Sequence, residues 1–293
     1  MTLSSDLSSG KDHTQENFPV ASALIARAHR PVVLAFYKVA RMADDIADHP
    51  TAAPAEKLAR LAQIEASLKG ENRLVPDAVQ LRRVLKERDI TIQHTLDLLA
   101  AFRRDVSQNR YADWADLMDY CRLSACPVGR FMLDVHGERR GTWRASDALC
   151  SALQVINHLQ DCGEDYRTLD RVYLPMDSLH AAGLGVSALG EARATPALRG
   201  VIGELARRCT ALLDNARPLA SQVKDMRLAL EVGVIQRLAE SLTQRLMERD
   251  PLSEKVHHRP WEALGGALMG AGSTLANRLG ASAKSQSGAI GGR

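Results

Sequence analysis

Two segments of this chain, ADDIAD at 43–48 and QDCGED at 160–165, carry aspartates four residues apart within stretches of helical apolar spacing. Asp44 and Asp48 form one pair, Asp161 and Asp165 the other. On a helix, such residues lie on one face, one turn above the other. Like charges so placed repel by roughly 0.2–0.5 kcal/mol per pair, and aspartate is a poor helix former. Stability does not account for two such pairs, but a divalent cation does. At 100° per residue, Tyr37, Arg41, Asp44 and Asp48 fall within about 60° of one another, with Asp45 about 100° away on the flank. Gln154, Asn157, Asp161 and Asp165 fall within about 80°. Each helix therefore presents one polar stripe, which must face water or face the other across a cavity.

The rest of the chain leaves little room for anything but helices. Ala, Leu, Arg and Glu dominate, and β-branched runs and turn dipeptides are scarce. Helical periodicity extends from about residue 18 to residue 250. Pro31 suits the first turn of a helix reaching Ala47. Further helices are expected at 55–68, 76–86, along the stripe Ile92, Leu96, Leu99 and Val106, at 146–166, 196–221 and 225–248. A helix over 114–136 is expected to kink, because Pro127 removes a backbone donor near its middle and Gly129 follows. The expectation is an all-α, single-domain bundle over 16–255. A flexible segment precedes it (1–15). A Gly/Ala/Ser-rich tail (260–293) lacks a sustained apolar face and reads as disordered, with a surface-binding helix over 261–279 as the other reading.

Composition excludes several function classes. A net charge of +3 without a Lys/Arg block argues against nucleic acid. Five cysteines form no CxxC pair, as expected of small buried thiols in a reducing compartment. The N-terminus reads as lacking a signal peptide, and no apolar run is long enough to span a membrane. A cytoplasmic protein is expected, with contact at the inner membrane face left open for an apolar substrate. No glycine-rich phosphate loop or dinucleotide fingerprint is present.

If the two stripes face each other, four carboxylates and the amide oxygen of Asn157 suit Mg²⁺, a hard ion that shares its coordination with water and substrate phosphates. Arg41, Arg30 and Arg171 are candidates for binding phosphate oxygens directly. Such a site in an apolar cavity fits ionisation of an allylic diphosphate: cations stabilise the leaving group while the dry pocket holds the carbocation. No Ser/His/Asp arrangement is evident, and none is required.

Four motifs in order, ENFPVAS (16–22), FYKVARMADDIAD (36–48), YCRLSACPVGR (120–130) and INHLQDCGEDYRTLDRVYLP (156–175), resemble those of the squalene/phytoene synthase family. The resemblance extends over 16–251, and the opening looks most like the hydroxysqualene synthase branch. It implies an isoprenoid-synthase helical bundle around a central cavity. It makes Asp44, Asp48, Asp161 and Asp165 catalytic, metal-binding aspartates, Asn157 a further metal ligand and Arg41 a diphosphate ligand. Gln154 is placed on the cavity wall, with Tyr37 as a further substrate contact. Arg171 and Tyr173 match a loop closing over the diphosphate, while His13, Asn17 and Phe18 lie near an N-terminal diphosphate-contacting segment. Two or three Mg²⁺ ions are implied and no NADPH.

Within the family, squalene and dehydrosqualene synthases tend to carry an aromatic two places after the tyrosine of the YC motif. This chain has Arg122 there, which leaves Tyr120 as the candidate for stabilising a carbocation. The implied reaction converts presqualene diphosphate to hydroxysqualene by loss of diphosphate, cyclopropylcarbinyl rearrangement and water capture, in hopanoid biosynthesis. The enzyme producing presqualene diphosphate is a candidate for transient contact. A head-to-head prenyl transferase making presqualene diphosphate, squalene or phytoene is the alternative on the same fold. A non-catalytic assembly factor is the alternative of another class, and retention of all four aspartates argues against it.

Overall fold

Among the described residues proline opens five helices, at first-turn positions where its missing N–H costs nothing. The structure, a computed structural model, describes residues 25–257 together with Gly270 and Thr274. The helices are α1 (Arg30–Ala47), α2 (Pro54–Lys69), α3 (Pro76–Glu87), α4 (Gln93–Ser107), α5 (Trp114–Ser124) and α6 (Cys126–Val135), followed by α7 (Trp143–Leu169), α8 (Met176–Ala181), α9 (Pro196–Ala216), α10 (Leu219–Gln222) and α11 (Met226–Glu248). No strand occurs among the described residues; one isolated bridge pairs Arg110 with Val172. Side-chain caps fix three starts: Asp113 accepts from the Asp116 N–H, Thr195 from Leu198, and Asp225 from Arg227 and Leu228.

These helices bury two apolar cores. One gathers Val32 and Val39 of α1 with Leu61, Leu81, Leu99 and Phe131. The other gathers Leu117 of α5, Ile156 and Leu159 of α7, Ile202 of α9 and Leu242 of α11. Each such side chain contributes about 1.5–3 kcal/mol on burial. Helix α1 packs on α2, α3 and α4 and touches α6, whereas α7 packs on α5, α6, α9 and α11. The helices that carry the aspartates thus belong to different cores, with α4, α5 and α6 joining them. A stacked pair, Phe36 on Phe131 at 3.8 Å between centroids, seals α1 to α6.

The expected kinked helix over 114–136 is two helices. Pro127 sits in the first turn of α6 rather than in the middle of a longer helix, and Ala125 is the junction. Gly129 acts separately from the proline. A Cβ there would lie 2.4 Å from Ser146 Oγ and 2.5 Å from Cys150 Sγ, so its absence lets α6 approach α7 closely. The expected helix over 196–221 likewise ends at Ala216, and the short α10 follows Pro218. All five cysteines are free thiols, four of them buried. The expected flexible segment 1–15 lies outside the described residues, as does most of 260–293. Within that tail Gly270 and Thr274 are helical and buried, Gly270 lying against the backbone of Gly233 in α11.

Candidate active site

The polar stripes occupy the positions their spacing predicts. On α1, Tyr37, Arg41, Asp44 and Asp48 are half-buried, beside buried Phe36, Val39, Ala43 and Ala47. On α7, Gln154, Asn157, Asp161 and Asp165 are half-buried in a segment whose other faces are largely covered by Val155, Ile156, Leu159 and Cys162. A half-open polar stripe along a helix packed on several sides fits a wall of an internal cavity better than an outer surface.

A backbone seam positions the residue that joins the walls. Asp170 ends α7 in the left-handed conformation, with φ of 50°. The following segment then pairs with the one after α4: the Val172 N–H donates to Asn109 O and the Met176 N–H to Tyr111 O, both at 2.9 Å. Arg171 is thereby turned inward, where it is only 7 % exposed. Its Nη1 donates to Asp48 Oδ1 at 2.5 Å and its Nη2 to the Ala47 carbonyl at 3.3 Å. The end of α7 is thus tied to the end of α1. On α1 itself, Arg41 bonds Asp44 at 3.0 Å and pairs with Asp45 at 2.8 Å.

Electrostatics ties the two clusters together. Burial pushes the Asp165 carboxyl up to about 7, reinforced by Asp161 and, from the other wall, by Asp48, against the opposing pull of Arg171. Asp44 is also pushed up to about 7, by burial and then by Asp48, with Arg41 opposing. The Asp44 side chain is 37 % exposed, so solvent screening limits this penalty. Carboxylates that resist ionisation through burial and through the charge of their neighbours make a site that a divalent cation relieves. The donors are oxygens, the set that Mg²⁺ prefers, and the residues therefore fit that ion.

Behind the clamp lies a buried group that the sequence motifs do not include. Asp105 of α4, 6 % exposed, accepts from Tyr120 Oη at 2.9 Å and from Tyr173 Oη at 3.3 Å. Burial pushes its carboxyl up to about 6, with Arg171 and the Tyr120 bond pulling the other way. Tyr111 stacks beside Tyr173, with ring centroids 5.4 Å apart. His158 stacks on Tyr173 at 3.5 Å and approaches Gln154 at 3.0 Å. Burial pushes the imidazole down to about 3, so it is neutral. Asp105 shares the buried face of α4 with Leu98 and Ala101. An aspartate in register with an apolar face is the signal that could have identified it.

The structure thus brings together Arg41, Asp44, Asp48, Asp165 and Arg171 at one end of the bundle and places Asn157 and Asp161 on the same α7 stripe. Tyr120 and Tyr173 sit behind them on Asp105. Arg30 is not part of this assembly. It lies at the opposite end of α1, about 21 Å along the axis from Asp44 at 1.5 Å per residue, and its Nε donates to Ile25 O at 3.2 Å. Arg122 is exposed and paired with Asp119 at 3.2 Å. His13, Asn17 and Phe18 lie outside the described residues.

A helical bundle carrying paired aspartates on two walls, with the buried Arg171 reaching from one to the other, defines an isoprenoid-synthase-type protein. The chain belongs to the squalene/phytoene synthase family, whose profile matches residues 11–262. It is 56 % identical over 262 residues to a hydroxysqualene synthase of Rhodopseudomonas palustris, covering 89 % of this chain and 90 % of that one. A hydroxysqualene synthase of Zymomonas mobilis is 53 % identical, with 92 % and 91 % covered. Among solved structures, a squalene synthase of Alicyclobacillus acidocaldarius superposes with a TM-score of 0.71 at 31 % identity, covering 83 % of this chain and 90 % of that one. A dehydrosqualene synthase solved with a ligand gives 0.72 at 20 % identity, covering 87 % and 90 %, and bears on the fold alone.

Proposed function

We propose that this chain converts presqualene diphosphate to hydroxysqualene with release of diphosphate. The Arg171–Asp48 bond, which joins the two aspartate walls, carries the diphosphate part of this reading. The choice of reaction rests on relatives 50–56 % identical over most of the chain, each a hydroxysqualene synthase.

Asp44, Asp48, Asp161 and Asp165, with the Asn157 amide oxygen, would hold the two or three Mg²⁺ ions. Bound there, the ions supply charge neutralisation to the leaving group. Arg41 and Arg171 already point donors at the carboxylates and can share them with phosphate oxygens. The C–O bond breaks and its electron pair leaves with the diphosphate. The carbocation rearranges, water adds through oxygen, and the proton of that water is released. Tyr120, held through its hydroxyl on Asp105, offers a fixed aromatic ring to a passing cation. No hydride enters this balance, so no reductant is consumed.

Incubation with Mg²⁺ and presqualene diphosphate, without reductant, should yield hydroxysqualene and one equivalent of diphosphate. Turnover of farnesyl diphosphate with no hydroxysqualene from presqualene diphosphate would contradict this and indicate the transferase.

A further inference from the structure

At the end of the bundle remote from the aspartate walls, three elements bring a second set of ligand-type side chains together. His29 precedes α1, His136 ends α6 and Asp225 caps α11. One ring nitrogen from each histidine and one Asp225 carboxylate oxygen all lie within 4.8 Å of one another. His29 lies about 22 Å from Asp44 along α1, at 1.5 Å per residue. We propose that His29, His136 and Asp225 form a binding site for a divalent transition-metal ion of the Zn²⁺ class, separate from the diphosphate site.

Three observations carry this. The His136 side chain is 1 % exposed, and its Nδ1, 2.9 Å from Asp225 Oδ2, is the ring nitrogen presented to the cluster. The two oxygens of Asp225 divide their roles: Oδ1 accepts from the N–H groups of Arg227 and Leu228, leaving Oδ2 facing the histidines. The imidazole rings, with centroids 4.4 Å apart and tilted by 43°, are close enough to share an ion.

Two nitrogens and one carboxylate oxygen are a borderline donor set that suits Zn²⁺ and its neighbours rather than Mg²⁺. Ligand atoms on a tetrahedral Zn²⁺ lie about 3.3 Å apart, given bonds of about 2.0–2.1 Å. Side-chain rotation closes the remaining gap, with water in the fourth position. The opposing charge is Arg88, whose Nη1 lies 3.3 Å from His29 Nδ1 and whose Nη2 bonds the Ala28 carbonyl. Buried Glu138 lies beside the Asp225 cap: one oxygen accepts from the N–H groups of Lys224 and Asp225, while the other is buried without a partner. An ion here would fasten the start of α1 in one core to the cap of α11 in the other.

The test is Zn²⁺ titration of the untagged, chelator-stripped full chain in excess Mg²⁺, read by competition with a chromogenic chelator, with Co²⁺ as the optical probe. The expected result is one equivalent bound, a higher Tm with Zn²⁺, and an intense visible Co²⁺ band. His29→Ala and His136→Gln should each weaken Zn²⁺ binding by at least about tenfold, without changing Mg²⁺-dependent turnover. No Zn²⁺ binding, or variants that bind like the wild-type chain, would overturn the proposal. If either variant fails to fold, the wild-type Co²⁺ spectrum decides. Only the weak bands of an octahedral oxygen site would count against it.

Discussion

Asp105 shows how a single buried carboxylate can organise a site from behind. It holds Tyr120 and Tyr173 by their hydroxyls and faces Arg171, which in turn holds Asp48. Tyr120→Phe removes one donor from this carboxylate and should cost about 1–3 kcal/mol of stability, measurable by urea denaturation. A change well below that range would mean that the hydrogen bond adds little. Asp48→Asn and Asp161→Asn remove charge from opposite walls. Each should lower turnover by about a hundredfold or more while leaving the helical circular-dichroism signal intact, and full activity in both would remove the clamp. The aspartate pairs are legible in the sequence because i, i+4 spacing is local. Asp105 is legible only as a charge in register with the apolar face of α4; its role is not, because its partners come from α5 and the loop after α7, a convergence no local period reveals. Arg30 misleads for the converse reason: it shares a helix with Asp44 but sits at the other end of it.

At the scale of elements, the helix starts are well marked because proline and capping residues are local signals, and Pro54, Pro76 and Pro196 each begin a helix. The region around Pro127 is ambiguous in sequence because a proline within an apolar period fits both a kink and a fresh start. Tertiary packing decides between them: Gly129 and the α7 residues Ser146 and Cys150 set where α6 lies. Gly129→Ala should therefore destabilise the fold by about 1–3 kcal/mol through overpacking. Combining it with Ser146→Ala and Cys150→Ala removes the two clashing atoms and should recover part of the loss in thermal melts. An unchanged Tm for Gly129→Ala alone would show that the α6–α7 contact is looser than described.

Over the whole molecule, two cores hold two aspartate-bearing helices apart, and Arg171 spans between them. The all-α class is legible from periodicity, but that the stripes share one site is not: spacing alone allows both to face water. The coupling has a consequence for pH. Asp44 and Asp165 are pushed up to about 7 in the metal-free protein, against about 3.9 when unfolded. Between those values the folded state binds more protons than the unfolded state, so these groups favour the metal-free fold at low pH, and that contribution is lost as pH rises. Mg²⁺ binds the ionised carboxylates, so the Tm gain on adding Mg²⁺ should be larger at about pH 8 than at about pH 5.5. Equal gains would contradict the coupling. The central claim, that both walls grip one diphosphate, is tested most directly by calorimetric titration of inorganic diphosphate in Mg²⁺ buffer. The prediction is that Asp48→Asn and Asp161→Asn each weaken binding by at least about tenfold, although they lie on different helices. Wild-type affinity in either variant would contradict it.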